Sequence, residues 1–361
     1  MKKTTDTAEQ QLGWYMRNCA CSPVAGRLEI ALLERLKYLK GTHDDEDDYR
    51  DLPKAKAHSI RFRKLHRALK GYSTPGGSNE SFEQNALFAR DEFGLDTIDT
   101  EILLLLLRYQ RNSYVESFLD DVCNRLNSVS RALAALIGVE TREAHRRILP
   151  DGVLHSGGIL SINDEGKGAS GPDGYLQIAP PLRAIMFRPY NSREEWAAAM
   201  FGQPLAPSLA WEDFEHLGAA RDLVARVLAG VAKSRAKGIN LLLHGPVGTG
   251  KTEFCKTLAA KTGMAIWSIG EIDDNGGEPL RYERLASLRL AQRLLASRAN
   301  SMVLFDEAED LLEQPGGFFE KRIMERPGSK VHINRVLNKT LSRSFGPATM
   351  SNSLIRPYCA G

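Results

Sequence analysis

The sequence predicts a chain of two characters: a mostly helical N-terminal region, then an α/β region built on a parallel sheet with helices on both faces. Three observations carry this. Apolar residues recur at helical spacing through much of the first 150 positions. A short continuous apolar run, "INLLLH" (239–244), leads into a glycine-rich turn and a helix-like stretch ending at Gly263. A second such run, Met302 to Phe305, ends in the carboxylate pair Asp306–Glu307. Short unbroken apolar runs suit strands covered on both faces, as in a parallel sheet.

Composition sets the frame. The chain has 361 residues, enough for two or three domains, with 42% hydrophobic and 26% charged residues, the balance of a soluble globular protein. A net charge of +3 does not by itself imply a nucleic-acid partner. The longest apolar run, Ile102 to Leu107, is far short of a membrane span. "MKKTTDTAEQQLGW" has no apolar stretch behind its lysines, so no secretory signal is read there. Five scattered cysteines and eight histidines form no zinc pattern, and free thiols in a reducing cytoplasm are the expectation.

From the N-terminus, residues 1–40 read as helical, with Leu28 to Leu39 carrying the apolar face. An acidic run (His43 to Asp51) gives way to a basic one (Lys54 to Lys70); such runs form solvated faces or attract each other, and the basic one is alternatively a nucleic-acid contact. Gly71 to Ser81 has linker composition, closing a first segment, 1–81. In a second, 82–200, Asp96 and Thr97 can cap a helix whose Leu103 to Leu107 are expected to be buried. Two short helices and a strand-like pair with a Gly-rich tip make residues 96–190 winged-helix-like. Arg142, His145, Arg146 and Arg147 would lie on its second helix. Such a module either touches phosphates or serves as a protein-docking spacer. The third segment, 205–361, follows a boundary near Gln203 to Pro207 and begins with a helix, Ala219 to Lys237.

Gly245-Pro246-Val247-Gly248-Thr249-Gly250-Lys251-Thr252 fits G-x-x-x-x-G-K-[ST], flanked by strand and helix as that motif requires. The glycines let successive N–H groups turn inward as a nest for phosphate oxygens, and the helix N-terminus adds partial positive charge. Lys251 is expected to reach the β- and γ-phosphates of ATP, and the Thr252 hydroxyl to ligate Mg²⁺. Asp306 can hold Mg²⁺ through water, and Glu307 can act as general base on an attacking water.

"GPVGTGKT" with "VLFDEAED" resembles the AAA+ ATPases over about residues 205–340. The resemblance makes Gly245 to Thr252 the Walker A loop, Asp306 the Walker B magnesium ligand and Glu307 the catalytic glutamate. "LAWEDFEHLG" becomes the entry segment near the adenine, and Gly328 to Leu337 the helix after Walker B. The chain is similar to bacterial AAA+ proteins with a winged-helix-like region ahead of the ATPase core. That implies a cytoplasmic Mg²⁺-dependent ATP hydrolase in a homo-oligomeric ring, remodelling a protein or protein–DNA partner away from any membrane. "SIGEIDDNGGEPLRYERL" lacks the aromatic-hydrophobic-glycine tripeptide of protein-threading members.

The C-terminal stretch departs from the family. A fourth strand ending in a sensor-1 residue is expected after Leu337, yet "NKTLSRSFGPATMSNS" has no apolar run, and Asn352 has nothing strand-like before it. Shifted by two bases from Leu341, the codons permit V-P-V-L-W-T-S-N-D, and from Leu354, A-D-P-A-L-L-R-R. Phe345–Gly346 then allows only Trp or Arg, and Tyr358–Cys359 forces Leu. The expectation is therefore that 341–361 are out of frame. The sheet would be left incomplete, with a gap between Lys251 and Asp306, no arginine finger, no lid and impaired hydrolysis. The alternatives are an interaction adaptor with a vestigial ATPase, and a DNA-associated helper binding through the basic winged-helix-like region.

Overall fold

The computed structural model describes residues 2–40, 53–75, 80–162, 176–200, 202–234, 240–243, 245–246, 248–269, 281–295, 300–306 and 348–351. The chain divides into two compact units. One comprises 1–156, 162–178 and 186–189, and the other 157–161, 179–185 and 190–361.

The first unit is helical: α1 (Lys2–Cys21), α2 (Ala25–Lys40), α3 (Lys54–Leu69), α4 (Ser81–Phe93), α5 (Thr97–Arg111), α6 (Ser113–Leu126), α7 (Val129–Ile137), α8 (Thr141–Ile148) and the single turn α9 (Val153–Ser156). Local chemistry sets several boundaries. Asp96 caps α5 by accepting from the Asp99 N–H, Asn112 caps α6, and Ser128 caps α7. Gly94 and Gly138 take the left-handed conformation that ends α4 and α7. Leu103 to Leu107 are buried, as their all-round apolar pattern requires. Among them sits one ionic knot: Arg108 donates to Glu83 Oε1 at 3.0 Å and to the Tyr15 hydroxyl at 3.0 Å, while Gln11 donates to the same Glu83 oxygen at 3.1 Å. Burial pushes the Tyr15 phenol up to about 12 against the opposing field of Arg108. The acidic run at 43–51 lies outside the described residues, as does the Gly-rich tip between β1 (Leu160–Ile162) and β2 (Leu176–Ile178), a two-stranded sheet.

The second unit contains α10 (Pro180–Met186) in greater part, α11 (Arg193–Ala199), a 3-10 turn (Glu212–Leu217), α12 (Ala219–Ser234), β3 (Asn240–Leu242), α13 (Lys251–Lys261), β4 (Ala265–Ser268), α14 (Arg281–Leu295), β5 (Ser301–Phe305) and β6 (Ala348–Ser351). The last four strands form a parallel sheet ordered β3-β6-β5-β4. Strand alternation divides its core in two. Ile266, Met302 and Leu304 face Leu228 of α12 and Phe254 and Leu258 of α13. Trp267, Val303 and Phe305 face Leu288, Ala291 and Leu295 of α14. Helices therefore cover both faces.

The expected gap in this sheet does not exist. Ala348–Ser351 lies between β3 and β5, with Thr349 level with Asn240 on one side and Val303 on the other. A strand flanked on both sides has ladder partners for its amides and carbonyls, and those bonds do not depend on apolar side chains. "ATMS" therefore serves where an apolar run was expected. Gly346–Pro347, Asn352 and the stretch 328–337 lie outside the described residues.

The placement of α3 depends on one close approach. Tyr72, just past its end, lies so near α1 that a Cβ on Gly13 would stand 2.2 Å from its ring. The ring cannot retreat easily. Its hydroxyl donates to Glu9 at 3.1 Å, and its carbonyl accepts from Arg17 at 2.6 Å. Gly13→Ala is expected to destabilise the first unit by about 1–3 kcal/mol, despite a helix-propensity gain of about 1 kcal/mol. An unchanged or raised thermal midpoint would contradict this packing.

Candidate functional site

The site is built where β3 ends. Leu241 and Leu243 pack against the core, and the chain then turns through Gly248 and Gly250 at φ +80° and +79°. Only glycine enters this region without strain, which is why the turn is glycine-rich. Thr249 Oγ1 donates to the Pro246 carbonyl at 2.9 Å and closes the loop. Lys251 Nζ donates to the carbonyls of Gly245 at 3.1 Å and Pro246 at 3.0 Å, so its ammonium sits within the curl. Gly250 is the N-cap of α13 and gives no side-chain cap hydrogen bond, so the positive end of that helix adjoins the same turn. Val247 and His244 lie outside the described residues.

Across the sheet, β5 is buried along its whole length and delivers Asp306 at its C-terminal end. Thr252 Oγ1 donates to Asp306 Oδ2 at 2.8 Å. β3 and β5 are not neighbours, so this contact is made past the end of β6. Arg284 of α14 donates to the Asp306 carbonyl and lies over the Phe305 ring at 4.8 Å, fixing the end of β5. Glu307 lies outside the described residues. Cys255, one turn into α13, is buried. Burial, with the nearby Asp306 charge, pushes its thiol up to about 12, which favours the protonated thiol.

Sequence reasoning missed the clamp on the start of α13. The segment from Leu205 onward is tied to β4 by the Leu205 N–H, which donates to the Ile266 carbonyl at 2.7 Å. Ser208 then donates to Glu253 Oε2 from its N–H at 2.9 Å and its hydroxyl at 2.8 Å. Lys256 holds the other oxygen of Glu253 at 2.8 Å, and Thr257 Oγ1 donates to the Leu209 carbonyl at 3.1 Å. The Trp211 ring stacks on Phe254 at 6.2 Å, with Arg221 over its other neighbourhood at 4.8 Å. Phe214 meets Phe254 edge-on at 5.2 Å and would lie 3.8 Å from a Cβ at Gly250. Polar and aromatic residues beside a glycine turn were the available signal, but their partners lie about forty positions away.

Together these groups offer a positive helix end, an ammonium, and two hard oxygens facing each other. Those are the parts an anion and a divalent cation need.

The hydrogen bond from Lys256 and the two from Ser208 hold the Glu253 carboxyl down at about 2, from an ordinary 4.5. The sign follows from a depressed carboxylate. The clamp contributes fully above about pH 4.5 and is lost as pH falls towards about 2. A carboxyl titration followed by NMR should place Glu253 near that lower value in the wild type. In Lys256→Met, which removes the largest of these bonds, it should move up towards 4.5. A midpoint that is ordinary in both proteins would dissolve the clamp.

Among curated proteins, no match to the chain is found. Residues 241–329 do match a family model, described as "ATPase family associated with various cellular activities (AAA)". That span takes in the glycine turn, α13 and β5 with Asp306. Within its C-terminal unit the chain thus carries a region similar to the AAA ATPases.

Proposed function

We propose that the C-terminal unit binds ATP with Mg²⁺ at Gly245–Thr252 and hydrolyses it to remodel a protein partner. The single observation that carries this reading is the 2.8 Å contact between Thr252 and Asp306, beside a loop already curled around the Lys251 ammonium. A hydroxyl and a carboxylate in contact are a hard-oxygen pair suited to Mg²⁺, which Thr252 and Asp306 would hold. When bound, Mg²⁺ neutralises charge on the β- and γ-phosphates.

The protein's own groups supply the rest. Lys251 releases the Gly245 and Pro246 carbonyls and turns to the phosphates, exchanging two neutral acceptors for anionic ones. The amides of Gly248 to Lys251 donate to phosphate oxygens. Glu307, next after Asp306, would take a proton from the attacking water. The Trp211–Phe214 segment flanks the phosphate turn and would carry the base. Slow turnover remains the expectation from the shifted-frame reading of 341–361. The strand β6 removes only the argument that the sheet is broken.

Helices α7 and α8, followed by β1 and β2, support a winged-helix-like reading of 96–190. They do not favour α8 as a DNA-reading helix. Arg147 donates to Glu143 at 2.8 Å, to Asp99 at 3.1 Å and to Asp96, while Arg146 donates to Glu143 at 2.8 Å. Two of its three arginines are already neutralised, which suits a protein-docking module better.

Lys251→Ala should weaken ATP binding at least about tenfold, measured by calorimetry. Glu307→Gln should bind as wild type but lose about 10²–10⁴ in turnover. Undiminished affinity in the lysine variant would leave the adaptor reading in its place.

A further inference from the structure

The first unit carries a second charged feature that the ATP site does not use. Helix α3 contains no acidic residue. Lys56, Arg63, Arg67 and Lys70 are all exposed on it or at its end. At 100° per residue, the steps 56, 63, 67 and 70 fall within about 60° of arc and run about 21 Å along the axis. Among the described residues no carboxylate pairs with any of the four. Arg63 touches only the Ser59 carbonyl of its own helix, at 3.4 Å. The carboxylate Glu29 lies on the flank, occupied by His58 at 2.6 Å and Arg61 at 3.2 Å. The opposite face is spent on the core through Ala57, Leu65 and Leu69.

We propose that this line of cations is a docking surface for the phosphodiester backbone of duplex DNA, without base readout. Four features select that partner. A straight row of point charges suits a uniform polyanion, which in duplex DNA presents one charge per about 1.7 Å of axis. An anionic membrane would also need exposed apolar side chains to insert, and α3 exposes no large hydrophobic residue. An acidic peptide of defined sequence needs apolar anchors beside the charges, and among the described residues α3 exposes none. A single strand needs open aromatic faces for its bases, whereas Phe62, the one aromatic residue of α3 outside its histidines, is half-buried between His58 and His66. The arrangement contrasts with α8, two of whose three arginines face carboxylates of their own unit.

The test is fluorescence anisotropy of a short labelled duplex of arbitrary sequence with the full chain, across salt concentrations. Four phosphate contacts predict a log–log slope of about −3 to −4, or about a hundredfold weakening from 50 to 200 mM salt. Changing all four of Lys56, Arg63, Arg67 and Lys70 to Gln should abolish binding with the circular-dichroism melt unchanged. Each single change should reduce the slope by about one. Arg142→Gln with Arg146→Gln on α8 should leave binding intact, and so should Lys251→Ala, which separates this surface from the ATP reading. The proposal is overturned by no duplex binding at about 50 mM salt, by full binding in the quadruple variant, by a flat salt dependence, or by capture of polyglutamate or anionic vesicles but not DNA.

Discussion

One hydrogen bond organises the C-terminal unit: Thr252 Oγ1 to Asp306 Oδ2. Its two ends come from different parts of the sheet, and everything between them has to be correct for it to form. β3 must end at the glycine turn so that Thr252 enters the first turn of α13. β5 must be buried and in register, so that Asp306 emerges level with that turn. β6 must fill the slot between them, because without it the two elements would have no fixed separation. A polar contact spanning three strands is a demanding arrangement. Its position beside a left-handed glycine pair and a lysine explains why the contact is polar.

The clamp on α13 follows from the same requirement. The start of α13 has no conventional side-chain cap, because Gly250 carries no side chain to provide one. Stability has to come from outside the turn. Glu253, held by Ser208 and Lys256, and Phe254, wedged against Trp211 and Phe214, supply it one residue further along. The first turn of α13 is thereby fixed from outside the glycine turn.

Much of the site could be read directly in the chain, because the chemistry is local. Gly248, Gly250, Lys251 and Thr252 are contiguous, and Asp306 is marked by the apolar strand before it. The burial of Leu103 to Leu107 and the cap at Asp96 were legible for the same reason. What escaped was long-range. β6 was misjudged because its four residues, ATMS, make no continuous apolar run, while the backbone of a strand paired on both sides needs none. The Ser208–Glu253 clamp joins residues 45 positions apart. The basic run of α8 looked available until Asp96 and Asp99, roughly fifty residues earlier, proved to be its partners. In α3 the periodicity was present, but only packing shows which face is left outside.

The most direct measurement is a double-mutant cycle on nucleotide affinity, using Thr252→Ala, Asp306→Asn and both together, each titrated with ATP in Mg²⁺ and in chelator. If the hydroxyl and carboxylate act as one cation-holding pair, Mg²⁺ tightens ATP binding in the wild type. Either substitution alone then removes that effect, and combining them costs no more than one. Affinities that add independently, or a wild type indifferent to Mg²⁺, would contradict the account.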